Sequence, residues 1–447
     1  MLPGECAVIG SRAMWTTRSL VLVFAVAACG GDFPPPHDDK PTAPDANDPA
    51  FTVRSIRDWY LVGNAATPGH DTMTLFVDAA PGTDFVDAWI ADLPALRLSR
   101  QPDGSFGAQL PITELPAGTH DVLLAANGET TAFAKVGFRR SAPYYVLVTT
   151  DWDFADPGAQ VIAYQNQMHR EHAELRMTHF VGPYTFTDPS VNAVRQQELV
   201  TWLVEQRDKF DDEIGLHIHP YCTFVQSAGL TCITDQSTVY TQDATGYTIK
   251  VGAYGRQQMG VLLQHASDLF TQHGLDRPKT FRAGGWTATI DTLAALADTG
   301  FTADTSALNW ARIEEWEGRN NGELYRWNME NWGPINDTSQ PYFPSQTDAL
   351  SSTSPNLTLL EVPDNGVMID YVTLPEMNGL FDANWNGEPL AVPTMLMMGF
   401  HPSHTFSPDE FNRVDGFLDY ADSHLANRNL GPVVYITLED IVAAYAP

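Results

Sequence analysis

YYVLVTTD (144–151), GAQVIAYQNQMHREHAELR (158–176), MTHFVGPY (177–184), VNAVRQQELVTWLVEQRDKF (191–210) and DEIGLHIHP (212–220) follow one another with short connections. The first, third and fifth are short apolar runs and read as strands, while the second and fourth repeat their apolar residues at helical spacing. The alternation continues. GRQQMGVLLQHASDLFTQHG (255–274) and TIDTLAALADTG (289–300) read as helices, and TFRAGGW (280–286), FTADTS (301–306), LTLLEVPD (357–364), TMLMMGFHP (394–402) and VVYITLED (433–440) as strands. Repeated βα units predict a parallel sheet. About seven of them suit a closed or nearly closed barrel better than a doubly wound sheet, so residues 143–447 are expected to form a distorted (β/α) barrel.

Working outward, residues 51–142 change to short alternating stretches such as TMTLFVDAA and HDVLLAANG, broken by turns at PDGS and PAGT. Regular strands without a long amphipathic helix predict a small antiparallel, immunoglobulin-like β-sandwich. A spacer and a carbohydrate-binding module both fit it, and the spacer comes first because no cluster of exposed aromatics marks it. Residues 29–50 are rich in Pro and Asp and poor in apolar side chains, and are expected to be a disordered tether. Within the barrel, insertions at about 221–252, 308–356 and 366–392 all follow strands. The second carries Trp310, Trp316, Trp327 and Trp332, which fit either sugar-stacking platforms or the private core of a lid.

The N-terminus carries SLVLVFAVAAC (19–29) after Arg18, which has the length of a secretory h-region and is too short to span a bilayer. Its VAAC ending resembles the bacterial lipoprotein box, which implies a signal peptide over 1–28, a start at either Met1 or Met14, and a lipid on Cys29. An ordinary secreted protein cleaved nearby is the alternative. Asp32 at the third place after Cys29 points to the outer membrane or cell surface rather than the inner membrane. Export leaves Cys222 and Cys232 as an even pair around a short loop, and a disulfide is expected. The formal charge of −30, from 55 acidic against 25 basic residues, argues against a nucleic-acid partner. A monomer tied to the membrane by its lipid is expected.

Chemistry in a (β/α) barrel gathers at the C-terminal strand ends. That position collects Asp151 and Asp153 after the first strand, His217 and His219 after the third, Arg282 and Trp286 after the fourth, Asp304 after the fifth and His401 after a late one. Residues two apart on a strand share a face, so the DxD and HxH pairs can aim at one point. Two imidazoles and a carboxylate suit a divalent cation, most readily Zn²⁺, with coordination left open. HxH alone also fits strand-end histidines that only cap and hydrogen-bond.

Over residues 144–445 the sequence resembles the polysaccharide deacetylase family, carbohydrate esterase family 4. TTDWD stands where that family has T-F-D-D-G, EIGLH where it has the start of its H-S-x-x-H motif, and FRAGGW, FTADTSALNW and LMMGFH resemble its third, fourth and fifth motifs. Two departures stand out: Trp152 separates the family's adjacent Asp pair, and the second His sits at i+2, with Tyr221 at the family's i+4 place. The resemblance implies metal-assisted removal of N- or O-acetyl groups from a polysaccharide or cell-wall glycan. Asp151 would be the base, oriented by Arg282; Asp153, His217 and His219 the metal ligands; and His401 the acid. Trp286, Trp310, Tyr221 and Asp304 would shape the substrate site. Two other functions stay open: hydrolysis of a small amide on the same fold, and a surface lipoprotein that binds glycan without catalysis.

Overall fold

A computed structural model describes residues 35–36, 39–239, 241–317 and 322–446. The expected signal peptide and Cys29 lie outside the described residues.

The N-terminal region is two packed sheets. One has the order β1 (Thr52–Arg54), β3 (Thr72–Asp78), β7 (Phe106–Pro111), β6 (Ser99–Arg100); the other is β2 (Trp59–Leu61), β9 (Ala134–Ser141), β8 (Gly118–Ala126), β4 (Val86–Ile90), β5 (Leu96–Arg97). The period of two is visible in β3, where Met73, Leu75 and Val77 are fully buried and Thr72 and Asp78 are exposed. Those three pack against Val86 and Ile90 of β4 and Val122 and Leu124 of β8 in one shared core. All pairs are antiparallel except β2 with β9, which run parallel.

The tether is shorter than the sequence suggests. Thr42 N donates to Thr130 O and Ala132 N to Thr42 O (both 2.9 Å), Asp48 N donates to Phe133 O at 2.8 Å, and Lys135 N donates to the Asn47 side chain at 2.8 Å. A segment with few apolar residues is ordered here by main-chain hydrogen bonds to the neighbouring sheet, which hydropathy does not register.

The C-terminal region is the barrel. Its strands are β10 (Tyr144–Asp151), β11 (Met177–Val181), β12 (Glu213–Ile218), β13 (Thr280–Ala283), β14 (Ala303–Asp304), β15 (Leu360–Glu361), β16 (Thr394–Phe400) and β17 (Val433–Tyr435), all parallel to their neighbours. β10 to β15 run in sequence order and β16 returns to β10. Between β15 and β16 the ring closes through a single bridge, Met368 to Gly399, with the Asn365 amide standing in for backbone: its Nδ2 donates to Met395 O and its Oδ1 accepts from Met397 N. Within the ring β17 pairs with Tyr144–Val146 of β10, below the level at which β11 joins β10.

Around the ring run α1 (Ala159–Glu171), α2 (Ala193–Phe210), α3 (Cys222–Ser227), α4 (Arg256–Gln272), α5 (Ile290–Asp298), α6 (Trp310–Glu317), α7 (Glu323–Trp332), α8 (Leu374–Asn384), α9 (Pro408–Asp422) and α10 (Leu438–Tyr445). α8 lies within the third insertion, started by a Thr373–Glu376 capping box. It packs Met377, Leu380 and Phe381 into the outer core, so most of that insertion is the helix a βα unit requires. Leu438 and Ile441 of α10 join Tyr145, Leu147 and Phe180 in the inner core and plug the N-terminal end of the barrel.

Strand alternation sorts the residues that matter. Tyr145, Leu147, Phe180, Ala303, Leu360, Met395 and Met397 fill the interior. Tyr144, Val146, Val148, Met177, Val181, Leu216, Ile218, Phe281, Met398 and Phe400 face the helices. By the same period, Thr149, Asp151, His217, Arg282 and Thr305 point inward, and Thr150, His179 and Asp304 outward. Among the described residues no helix is long and apolar enough to cross a membrane.

Candidate functional site

The open end of the interior is a cavity of about 140 Å³ lined by Asp151, Asp153, His217, His219, Trp286, His401, Tyr371 and residues of two insertions. The strand ends place the polar set as the sequence suggests. In register, His217 stands beside Arg282 on the neighbouring strand, and Asp153 follows β10 through a turn in which its N–H donates to Asp151 O at 3.0 Å.

Asp153, His217 and His219 each offer a ligand atom, and the three atoms lie within 4.8 Å of one another. His217 Nδ1 lies 2.9 Å from Arg282 O and His219 Nδ1 2.8 Å from Tyr247 O. A carbonyl oxygen only accepts, so both Nδ1 atoms carry a proton, and a ring without a second proton presents a bare lone pair at Nε2. Both Nε2 atoms face the Asp153 Oδ1 carboxylate oxygen, at 3.2 and 3.3 Å. Acceptors do not gather around an anion unless protons or a cation lie between them. Burial alone would raise the Asp153 carboxyl, but the charges of His219 and His401 and hydrogen bonds from His217 and His219 outweigh it and hold it well below the usual range. That balance needs positive charge on the imidazoles or a metal ion in their midst, and the donor set fits a divalent cation.

Gly284 explains how the second imidazole fits. A Cβ there would stand 2.6 Å from the His219 ring, so only glycine leaves room for it. The next two residues, Gly285 and Trp286, take φ of +59° and +53°. A tryptophan in the left-handed region is strained by about 1–3 kcal/mol, which the surrounding packing must hold. Trp332 Nε1 donates to Trp286 O at 2.9 Å, and Trp310 packs edge-on against its ring.

Arg282 is fully buried and divides its charge. Its Nη1 donates to Asp151 Oδ1 and to Thr149 Oγ1, both at 2.9 Å, and its Nη2 lies 3.2 Å from Asp364 Oδ2. Burial pushes the Asp364 carboxyl up to about 6 against the pull of Arg282. Across the cavity His401 Nδ1 is hydrogen-bonded to Asp370 and its Nε2 lies 3.9 Å from Asp153 Oδ1. Burial favours the neutral imidazole, yet the Asp153 and Asp370 carboxylates outweigh it and push His401 up to about 10.

Not every expected site residue reaches the cavity. Asp304 is on the outward face, where it accepts from Ser306 N and Oγ at 3.0 and 2.9 Å; the inward residue of that strand end is Thr305. Trp310 is 4% exposed and backs Trp286 rather than lining the space. Trp332 is buried and Trp327 packs against the outer core, so these form a lid core, not a sugar platform; the Trp316 side chain lies outside the described residues. Tyr221 donates to Asp153 O at 3.1 Å. Cys222 and Cys232 form the expected disulfide. Two contributors escaped the sequence reading, Asp370 and Tyr247, because both sit in insertions without a motif.

No family model matches the sequence, and no curated protein matches it. Solved structures similar to the chain include a family 4 carbohydrate esterase from Streptomyces lividans in complex with acetate, with 9% identity over 66% of this chain and 92% of that one and a TM-score of 0.31. A 4-alpha-glucanotransferase from Thermococcus litoralis is similar at 9% identity over 68% of this chain and 40% of that one, with a TM-score of 0.37. PuuE allantoinase is similar at 15% identity over 68% and 89%, with a TM-score of 0.37. Likenesses at this level assign no activity.

Proposed function

We propose that the protein is a metal-dependent hydrolase that removes acetyl groups from a carbohydrate. The observation that carries this is the convergence of the Nε2 atoms of His217 and His219 on one oxygen of Asp153, beside an arginine-paired carboxylate and opposite a second His–Asp pair. Asp153, His217 and His219 would hold the cation, with Zn²⁺ the first choice for this donor set. When bound, such an ion supplies a water of lowered pKa and polarises a carbonyl.

The chain's own residues do the rest. Asp151, fixed by Arg282, takes a proton from the attacking water at its free carboxylate oxygen. His401, with Nδ1 tied to Asp370 and Nε2 facing the cavity, returns a proton to the departing amine or alcohol. Its raised pKa makes it a proton carrier at neutral pH. Trp286 and the insertion residues Thr238, Val239 and Leu324 wall the acyl side.

A second reading, hydrolysis of a small amide, is favoured by the size of the cavity, about 140 Å³. Export with a lipid on Cys29, anchoring in the outer membrane or cell surface, belongs to the same proposal; it is supported by the VAAC box and by a disulfide, which persists in oxidising compartments.

The test is acetate release from a panel of N- and O-acetylated glycans, beside ammonia or amine release from small amides, by parent, Asp151→Asn and His217→Ala. Acetate release by the parent and its loss in both variants is expected. Variants as fast as the parent would remove this site, and turnover of small amides alone would select the second reading.

A further inference from the structure

Tyr247 belongs to no motif, yet it touches the ligand set twice. Its hydroxyl donates to Asp153 Oδ2 at 2.8 Å, and its carbonyl accepts from His219 Nδ1 at 2.8 Å. The first contact occupies one carboxylate oxygen and leaves Oδ1 alone to face His217 and His219, at 3.2 and 3.3 Å. The second decides which nitrogen of His219 is bare. Its ring also lies 4.4 Å from the His219 ring.

The insertion carrying Tyr247 is built to hold it. Asp243 accepts from the backbone and hydroxyls of both Thr245 and Thr248. Cys222 N donates to Thr245 O at 2.8 Å, which sews the loop to the start of α3, three residues beyond His219. Gly246, at φ +83°, lies so close to Pro220 that a Cβ would come within 2.3 Å of its carbonyl oxygen. The Cys222–Cys232 bond closes the other limb of the same insertion.

We propose that Tyr247 is the positioning residue of the cation site, making Asp153 a one-oxygen ligand and fixing the His219 tautomer, and that the disulfide-closed insertion holds it in place. This rests on reading the site as one for a divalent cation. Outer-shell partners of ligands typically contribute about 10- to 100-fold in metal affinity.

The experiment uses the full chain and Zn²⁺ alone, with affinity read by competition against a chromogenic chelator. Tyr247→Phe keeps the carbonyl contact and removes the hydroxyl, and should bind about 10- to 100-fold more weakly, with the melting temperature of the metal-free protein unchanged. It should also alter the visible spectrum of the Co²⁺ form, which reports ligand geometry. Tyr221→Phe, which loses a hydroxyl that donates to the Asp153 backbone carbonyl and not to its carboxylate, should bind as the parent does. Disulfide reduction should weaken binding in the parent and add little in Tyr247→Phe. Equal affinity of parent and Tyr247→Phe overturns the proposal, as does an equal loss in Tyr221→Phe. A parent that binds no divalent ion overturns the underlying reading as well, whereas a parent that binds Zn²⁺ and releases no acetate removes the chemistry and leaves the role of Tyr247 standing.

Discussion

Among the described residues of the barrel, two sets place a carboxylate between imidazoles that face it with Nε2, and they differ in what the Nδ1 atoms meet. On the outer face, His169 Nε2 of α1 and His179 Nε2 of β11 both lie 2.9 Å from Asp212 Oδ2, and Met177 N donates to Oδ1 at 2.8 Å. Thr150 Oγ1 is 3.1 Å from His179 Nδ1, so the carboxylate and both Nε2 atoms there find partners of the opposite kind, while the buried His169 Nδ1 has none among the described residues. At the mouth, backbone carbonyls take both Nδ1 protons and leave the Nε2 atoms facing a carboxylate. The outer set satisfies its carboxylate with protein donors, whereas neutral rings at the mouth would need a cation between them and Asp153. The residue inventory is the same, and the second shell separates structure from chemistry.

The comparison predicts opposite failures. Asp151→Asn and, separately, His401→Ala should each lower kcat/KM for acetate release by about 10²- to 10⁴-fold, with zinc affinity kept. Asp212→Ala should do the reverse. It leaves three buried donors unpaired at about 1–3 kcal/mol each, a loss read by urea denaturation while zinc binding persists. If Asp212→Ala lost zinc and kept its stability, the two sets would have been assigned the wrong way round.

What the sequence shows of this contrast follows from strand period. DxD and HxH put Asp151 with Asp153, and His217 with His219, on common faces, and the structure brings all four to one cavity. The same rule, applied without knowing the phase of a two-residue strand, misplaces Asp304: Ala303 and Thr305 are the inward pair, so the aspartate between them points out. Trp310 stands at a loop start, where no period sets direction, and it packs behind Trp286. Asp370 and Tyr247 reach the site from insertions whose path is set by contacts distant in sequence, and no spacing announces them. Hydropathy likewise treats residues 40–48 as loose, because their order comes from backbone hydrogen bonds.

The next effect in size separates neighbouring carboxylates on either side of the sheet. Burial would raise Asp212, but hydrogen bonds from His169 and His179 outweigh it and its carboxyl is lowered. Glu213 points into the barrel floor, where burial outweighs donors from Thr280, Glu439 N and Thr178 and pushes it from 4.5 up to about 7. Below pH 4.5 Glu213 is protonated in both folded and unfolded chains. Between 4.5 and 7 only the unfolded chain ionises, so stability falls as pH rises through that window, by about 3 kcal/mol. Glu213→Gln should remove that fall. Unfolding free energies of parent and variant at pH 5 and pH 8 check it, and parallel pH profiles would show that Glu213 is not the source.

The smallest effect bears most directly on tautomers. Thr150→Val keeps the shape of the outward face of β10 and removes the hydroxyl that meets His179 Nδ1. A neutral hydrogen bond of this kind contributes about 0.5–1.5 kcal/mol, so the variant should lose about 1 kcal/mol and keep its zinc affinity. Nitrogen-15 NMR of the histidines gives the sharper readout. His179 should carry its proton on Nε2 in the parent, where it faces Asp212 Oδ2 at 2.9 Å, whereas His217 and His219 carry theirs on Nδ1. If His179 carried its proton on Nδ1 instead, its Nε2 lone pair would face Asp212 as His217 and His219 face Asp153, and the outer set would become a second place for a cation.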